Sequence, residues 1–167
     1  QPQRPHGRDW YRIERNAAPR VADLYIYDAI GWMGTTAAEL VDELRALDVD
    51  TINLHLNSPG GDVFDGIAIF NALKNHPAQI IGYIEALAAS IASAIAMACD
   101  RVVIAPHARM MIHEAYGLSM GNAADMRRFA DRLDASSQNI ASMYAEKAGG
   151  EVDEWRAAMQ AETWYTD

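Results

Sequence analysis

The sequence predicts an α/β domain built around a mostly parallel, buried sheet. Three observations support this. Apolar runs rich in β-formers alternate with amphipathic segments of helical period along most of the chain. Turn-forming residues, chiefly glycine and proline, separate the runs. The length of 167 residues, 50% of them hydrophobic, suits one core and argues against a second full domain. Alternating strands and helices make βαβ units, whose ligands lie beyond the carboxyl ends of the strands.

Residues 24–30 are rich in β-formers and run into Gly31, which predicts a strand. A helix is expected over 36–47, where Thr36 and Glu39 have capping-box spacing and Leu40, Val41, Leu44 and Leu47 recur at helical intervals. Residues 52–56 read as a second strand and 57–61 as a loop. Residues 63–73 read as a helix with Ile67, Phe70 and Leu73 on one face, stopped by Pro77. A third strand follows at 80–84, then a small-residue helix at 90–99 and two more strands at 101–105 and 109–113. Residues 122–148 carry Met126, Phe129, Leu133, Ile140 and Tyr144 at spacings of threes, fours and sevens, predicting a long helix that packs against something. Gly149-Gly150 ends it, and 152–159 reads as a short helix with Trp155 on its apolar side. The first twenty residues hold five arginines and three prolines without an apolar stretch. Residues 1–22 are therefore expected to be an arm rather than a secretory signal, with the folded domain over 23–167.

A net charge of −9 argues against nucleic acid as the main partner, because phosphate backbones attract Lys/Arg surfaces. No stretch approaches the roughly 18 uncharged apolar residues of a membrane span. The one cysteine, Cys99, follows an apolar run; it permits no intrachain disulfide and reads as a buried small hydrophobe. There is no HExxH and no paired His/Cys spacing, so chemistry free of metal and cofactor is expected.

Three segments carry chemistry, each at a predicted strand end: Asn57-Ser58-Pro59-Gly60-Gly61, Ala88-Ala89-Ser90-Ile91-Ala92-Ser93 and Met111-Ile112-His113-Glu114. A serine nucleophile needs a base within hydrogen-bond reach and donors where negative charge develops. Ser90 sits at a strand-to-helix junction beside free N–H groups; taken alone, it reads more readily as a helix cap. Ser93, one turn on, is the weaker candidate. Gly60-Gly61 can present backbone N–H groups as an oxyanion hole or clamp a substrate strand, with Gly61 and Ile91 as the expected donors. Of five histidines, His6 lies in the arm, His76 ends a helix, His55 alternates within a strand and His107 follows Pro106 in a turn. His113 alone combines a strand's carboxyl end with an apolar approach. For the orienting carboxylate, Glu114, Glu162, Asp125 and Asp167 are candidates; Glu114 is disfavoured because adjacent strand residues face opposite ways. A Ser–Lys dyad is disfavoured, since the only lysines, Lys74 and Lys147, lie in charge-rich helical stretches.

In order and spacing these segments resemble the ClpP-type serine peptidases, with Ser90 and His113 standing 23 positions apart. The resemblance runs from about residue 24 to the end. It implies a ClpP/crotonase-like spiral of βαβ units, a protruding handle helix at about 122–148 and ring-forming homo-oligomers. It also implies Ser90 as nucleophile, His113 as base, Glu162 in the place of the family's aspartate, and oxyanion donors at Gly61 and Ile91. Two departures are Ala86, where a glycine is common, and glutamate as the third member. Trp10-Tyr11-Arg12-Ile13-Glu14, Leu24-Tyr25-Ile26-Tyr27, Gly121-Asn122-Ala123-Ala124-Asp125-Met126 and Glu162-Thr163-Trp164-Tyr165-Thr166 look most like the ClpP-related head maturation proteases of tailed bacteriophages. That branch implies cleavage of capsid or scaffold protein in the host cytoplasm, inside an immature capsid, with extended substrate laid beside Gly60-Gly61 by β-augmentation. The alternatives are the proteolytic subunit of a cellular ATP-dependent Clp machine, a catalytically silent scaffold or assembly protein, and acyl-CoA chemistry on the same fold.

Overall fold

The computed structural model describes residues 10–16, 20–31 and 36–166. Candidate residues His6 and Asp167 lie outside them, as does most of the expected arm. The described chain runs β1 (Tyr11–Arg15), β2 (Val21–Tyr27), α1 (Ala37–Arg45), β3 (Thr51–Ser58), α2 (Val63–Lys74), β4 (Gln79–Ala89), α3 (Ile91–Ala96), β5 (Arg101–Ile104), β6 (Arg109–Ile112), α4 (Ala123–Ala148), α5 (Val152–Gln160) and β7 (Thr163–Tyr165). All seven strands join one sheet, in the order β1-β2-β3-β4-β6-β7, with β5 also on β4. The pairs β2–β3, β3–β4, β4–β5 and β4–β6 are parallel, whereas the outer pairs β1–β2 and β6–β7 are antiparallel.

Period-two burial decides which face each strand turns inward. In β2, Ala22, Leu24 and Ile26 are buried, and in β3 Ile52, Leu54 and Leu56 are. They pack with Leu40 and Leu44 of α1, Ile69 and Leu73 of α2 and Ile95 of α3 in one core. The opposite face carries an aromatic row instead: the His55 ring stacks on Tyr25 at 4.5 Å and on Tyr83 at 5.4 Å, and its Nδ1 lies 2.7 Å from Glu85 Oε1. Cys99 is buried beneath β4, and burial pushes its thiol up to about 12, in keeping with a small hydrophobe. Among the described residues no helix is long and apolar enough to cross a membrane.

Several boundaries differ from those expected. Residues 11–15, placed in the arm, form an edge strand in register with β2, and Trp10 joins the core. The charged, proline-bearing surroundings hide this strand, which tertiary pairing rescues. β2 begins at Val21 and ends at Tyr27, and Ile30 makes only an isolated bridge to Gly61. β4 is 11 residues long because one edge serves two partners in succession: Ile81–Ile84 face β5, and Leu87–Ala89 face β6. α3 is confined to residues 91–96, with Ser90 outside it and Lys147 Nζ bonding the carbonyls of Cys99 (2.6 Å) and Asp100 (2.9 Å) just beyond its end.

α2 approaches α3 through Gly66, where an added Cβ would stand 2.1 Å from Ile91 Cγ1. Ile91 is fully packed and cannot retreat. Gly66→Ala is expected to cost about 1–3 kcal/mol through overpacking, read as a lowered midpoint in urea or thermal denaturation.

Candidate active site

Ser90 is the single residue between β4 and α3, and its backbone stands at φ 56°, ψ −133°. A non-glycine residue in such a region costs on the order of 1–3 kcal/mol and persists only where neighbours over-determine it. Here its N–H donates to the Met111 carbonyl (3.0 Å), and its carbonyl accepts from the Ser93 N–H (3.0 Å). The Ser90 side chain makes no capping bond to α3, so the simple cap reading does not describe it. Its Oγ lies instead 2.8 Å from Nε2 of His113.

The strand register makes this meeting. β6 lies parallel to the last turn of β4 with Met111 opposite Ala89. One residue further, Ile112 enters the core, so His113 turns to the other side, above the Ser90 junction. Burial pulls the His113 pKa below the ordinary histidine value, and the Glu162 charge partly offsets that shift. The lowered pKa favours the neutral imidazole near pH 7, the form that can accept a proton at a ring nitrogen.

Glu162 reaches this position through β7. Thr163 pairs antiparallel with Ile112, which sets Glu162 across from His113 one step beyond the ladder. Its φ of 49° turns the chain sharply out of α5. The carboxylate is exposed and acts on His113 through charge; among the described residues no hydrogen bond joins the two. The other carboxylates are engaged elsewhere. Glu114 accepts from Arg156 Nη2 at 2.5 Å and Gln160 Nε2 at 3.4 Å, and Asp125 accepts from the Asn122 N–H at 3.0 Å while pairing with Arg128.

Gly60 packs directly against the serine. A Cβ on it would sit 2.6 Å from Ser90 Cβ and 2.8 Å from the Ala89 carbonyl oxygen, and its φ of 95° favours glycine. Buried Ser58 holds the loop: its Oγ donates to the Asp28 carbonyl at 2.6 Å and accepts from the Gly60 N–H at 3.1 Å. The Ile30–Gly61 bridge uses the Gly60 carbonyl (2.8 Å) and the Asp62 N–H (2.9 Å), which leaves the Gly61 N–H turned away from Ile30. The Ile91 N–H, at the first position of α3, has no intrahelical acceptor.

The remaining candidates fall away on contacts. Ser93 is fully buried and bonded to Ser90 and Tyr144, so it cannot meet a substrate. His55 is stacked in the aromatic row, His76 bonds the Leu47 carbonyl (3.2 Å) and the Ala78 N–H (3.1 Å), and His107 occupies a left-handed turn at φ 70°. Sequence reasoning overlooked the structural parts of Ser58, Ser93 and Tyr144. The apolar neighbours of Ser93 were the available signal, since a hydroxyl buried among alanines needs a partner.

A serine hydroxyl held in a strained strand-to-helix junction, 2.8 Å from an imidazole nitrogen and backed by a glycine loop, is the arrangement of a serine hydrolase, which the family match narrows to a serine endopeptidase. The chain belongs to the Clp protease family, whose profile matches residues 10–167. It is 29% identical over 159 residues to ATP-dependent Clp protease proteolytic subunit 1 of Leifsonia xyli, covering 89% of this chain and 81% of the relative. It is 30% identical over 150 residues to the ATP-dependent Clp protease proteolytic subunit of Bacteroides fragilis, covering 83% and 72%. With ATP-dependent Clp protease proteolytic subunit 1 of Corynebacterium jeikeium the identity is 32% over 117 residues, covering 69% and 62%.

With His113 as base, a role that needs the neutral imidazole, the lowered pKa is expected to place the acid limb of kcat/KM below the ordinary histidine range. Glu162→Gln removes a charge that raises this pKa. The limb is expected to move to still lower pH while kcat falls, as measured in a pH–rate profile on a fluorogenic peptide.

Proposed function

We propose that this chain hydrolyses peptide bonds in extended polypeptide with Ser90 as nucleophile, His113 as base and Glu162 as the acid that stabilises the imidazolium. The observation that carries this reading is the 2.8 Å contact between Ser90 Oγ and His113 Nε2 at a junction too strained to be ordinary helix capping. In the first step the Ser90 oxygen attacks the scissile carbonyl carbon as its proton passes to Nε2. The carbonyl oxygen, now negative, accepts hydrogen bonds from the N–H groups of Gly61 and Ile91. The C–N bond then breaks, Nε2 returns the proton to the leaving amine, and water releases the acyl group by the same sequence. Gly60-Gly61 offers an edge on which a substrate strand adds by β-augmentation.

Capsid or scaffold protein of a tailed phage is the proposed substrate, cleaved during head maturation by a ring-forming homo-oligomer. Support for the phage role comes from the segments resembling that branch, which fall on β1, β2, the start of α4 and the α5–β7 corner. Support for self-association comes from residues 114–121, which leave Tyr116, Leu118 and Met120 exposed on alternate positions ahead of α4. The second reading, a proteolytic subunit working with an ATPase, is favoured by the names of the relatives above.

Fluorophosphonate labelling tests the chemistry. The wild type takes up label, and Ser90→Ala loses both label and cleavage of an unstructured peptide, by at least about 1000-fold; an unlabelled wild type favours a silent scaffold. Cleavage of capsid or scaffold protein without ATP supports the phage role. Stimulation by a ring ATPase on ATP addition supports the second reading.

A further inference from the structure

Outside the triad, one side chain reaches the backbone carbonyl of Ser90 and a second backs it. The Ser93 hydroxyl lies 2.5 Å from that oxygen and 2.8 Å from the hydroxyl of Tyr144, and both side chains are fully buried. A carbonyl only accepts, so the single Ser93 hydroxyl proton goes to Ser90. Tyr144, whose hydroxyl burial keeps protonated, therefore donates to Ser93 Oγ. The Ser93 N–H already donates to the same carbonyl at 3.0 Å. One backbone N–H is all that the start of a helix requires there, so the hydroxyl relay from α4 through α3 is additional to capping.

Its consequence follows from peptide planarity. The Ser90–Ile91 peptide is trans, so its C=O and N–H point in opposite directions, and fixing one aims the other. Rotation about Ser90 ψ, the torsion held at −133°, is the motion that would swing this plane. We propose that Ser93 and Tyr144 are positioning residues that hold the Ser90 carbonyl and thereby aim the Ile91 N–H at the oxyanion. This rests on the reading of Ser90 as nucleophile and Ile91 as donor. The relay acts on the transition state, because charge on the carbonyl oxygen develops only there.

Steady-state cleavage of a fluorogenic peptide by the full chain tests the proposal. Ser93→Ala is expected to lower kcat about 10-fold to 100-fold, with KM within about twofold and the acid limb set by His113 unmoved. Tyr144→Phe lowers kcat about threefold with the same signature. In the double variant no buried hydroxyl is left unpaired, so the melting temperature recovers relative to Ser93→Ala, while kcat stays as low. A kcat for Ser93→Ala within twofold of the parent, or a kcat that recovers together with melting temperature in the double variant, would overturn the proposal. If Ser93→Ala does not fold, an unchanged kcat in Tyr144→Phe has the same force. Failure of fluorophosphonate to label the parent at Ser90 instead overturns the nucleophile reading, and the relay with it.

Discussion

The contact between Gly60 and Ser90 governs the geometry of the site. With hydrogen in place of a side chain, the β3 loop reaches the end of β4 at backbone distance; a methyl group there would collide with Ser90 Cβ and the Ala89 carbonyl. The parallel register of β3 and β4, with its irregularity between Leu56 and Ser58, delivers the loop to that height. Ser58 then ties it to β2 through the Asp28 carbonyl. The hydroxyl of Ser90 and the amides of the glycine loop thus come together through main-chain packing, which has little freedom to drift.

His113 arrives by another route, along the edge of β4. A single long strand gives its first half to β5 and its second half to β6, and the turn at Pro106-His107 steps the chain from one to the other. This leaves His113 level with Ser90 without a crossover helix between them. β7 then returns antiparallel to β6 and presents Glu162. Ser90, His113 and Glu162 therefore stand at the ends of three neighbouring strands. Opposing influences set the electrostatics: burial favours the neutral imidazole, whereas the exposed carboxylate favours its charged form.

Much of this was legible in the sequence, for identifiable reasons. The β-former-rich runs holding Leu24, Ile26, Leu54 and Leu56 mark strands, and Pro77 and Gly149 punctuate the helices they follow, whereas the aromatic row on the sheet's second face was not foreseen in a sheet expected to be buried. Ser90 and His113 stood out because each sits at a strand end. Less was legible where pairing overrides composition. Nothing local in Tyr11–Arg15 signals an edge strand, because its stability comes from β2 and from Trp10 in the core. Five of the six extra residues of β4 lie in a small, mixed run, residues 85–89, whose strand character comes from β6. The link between Ser93 and Tyr144 spans 51 positions, and no periodicity reports a hydrogen bond across that distance.

The left-handed backbone of Ser90 sets turnover against resilience at one position. Glycine adopts that conformation without steric penalty, so a glycine there removes the reactive oxygen and relieves the local strain together. Under the proposed mechanism a chain so altered is inert, while its backbone at that position is relaxed. An inactivated form of this protein should therefore be judged by its chemistry and not by its hardiness, since at this residue robustness and competence are opposed.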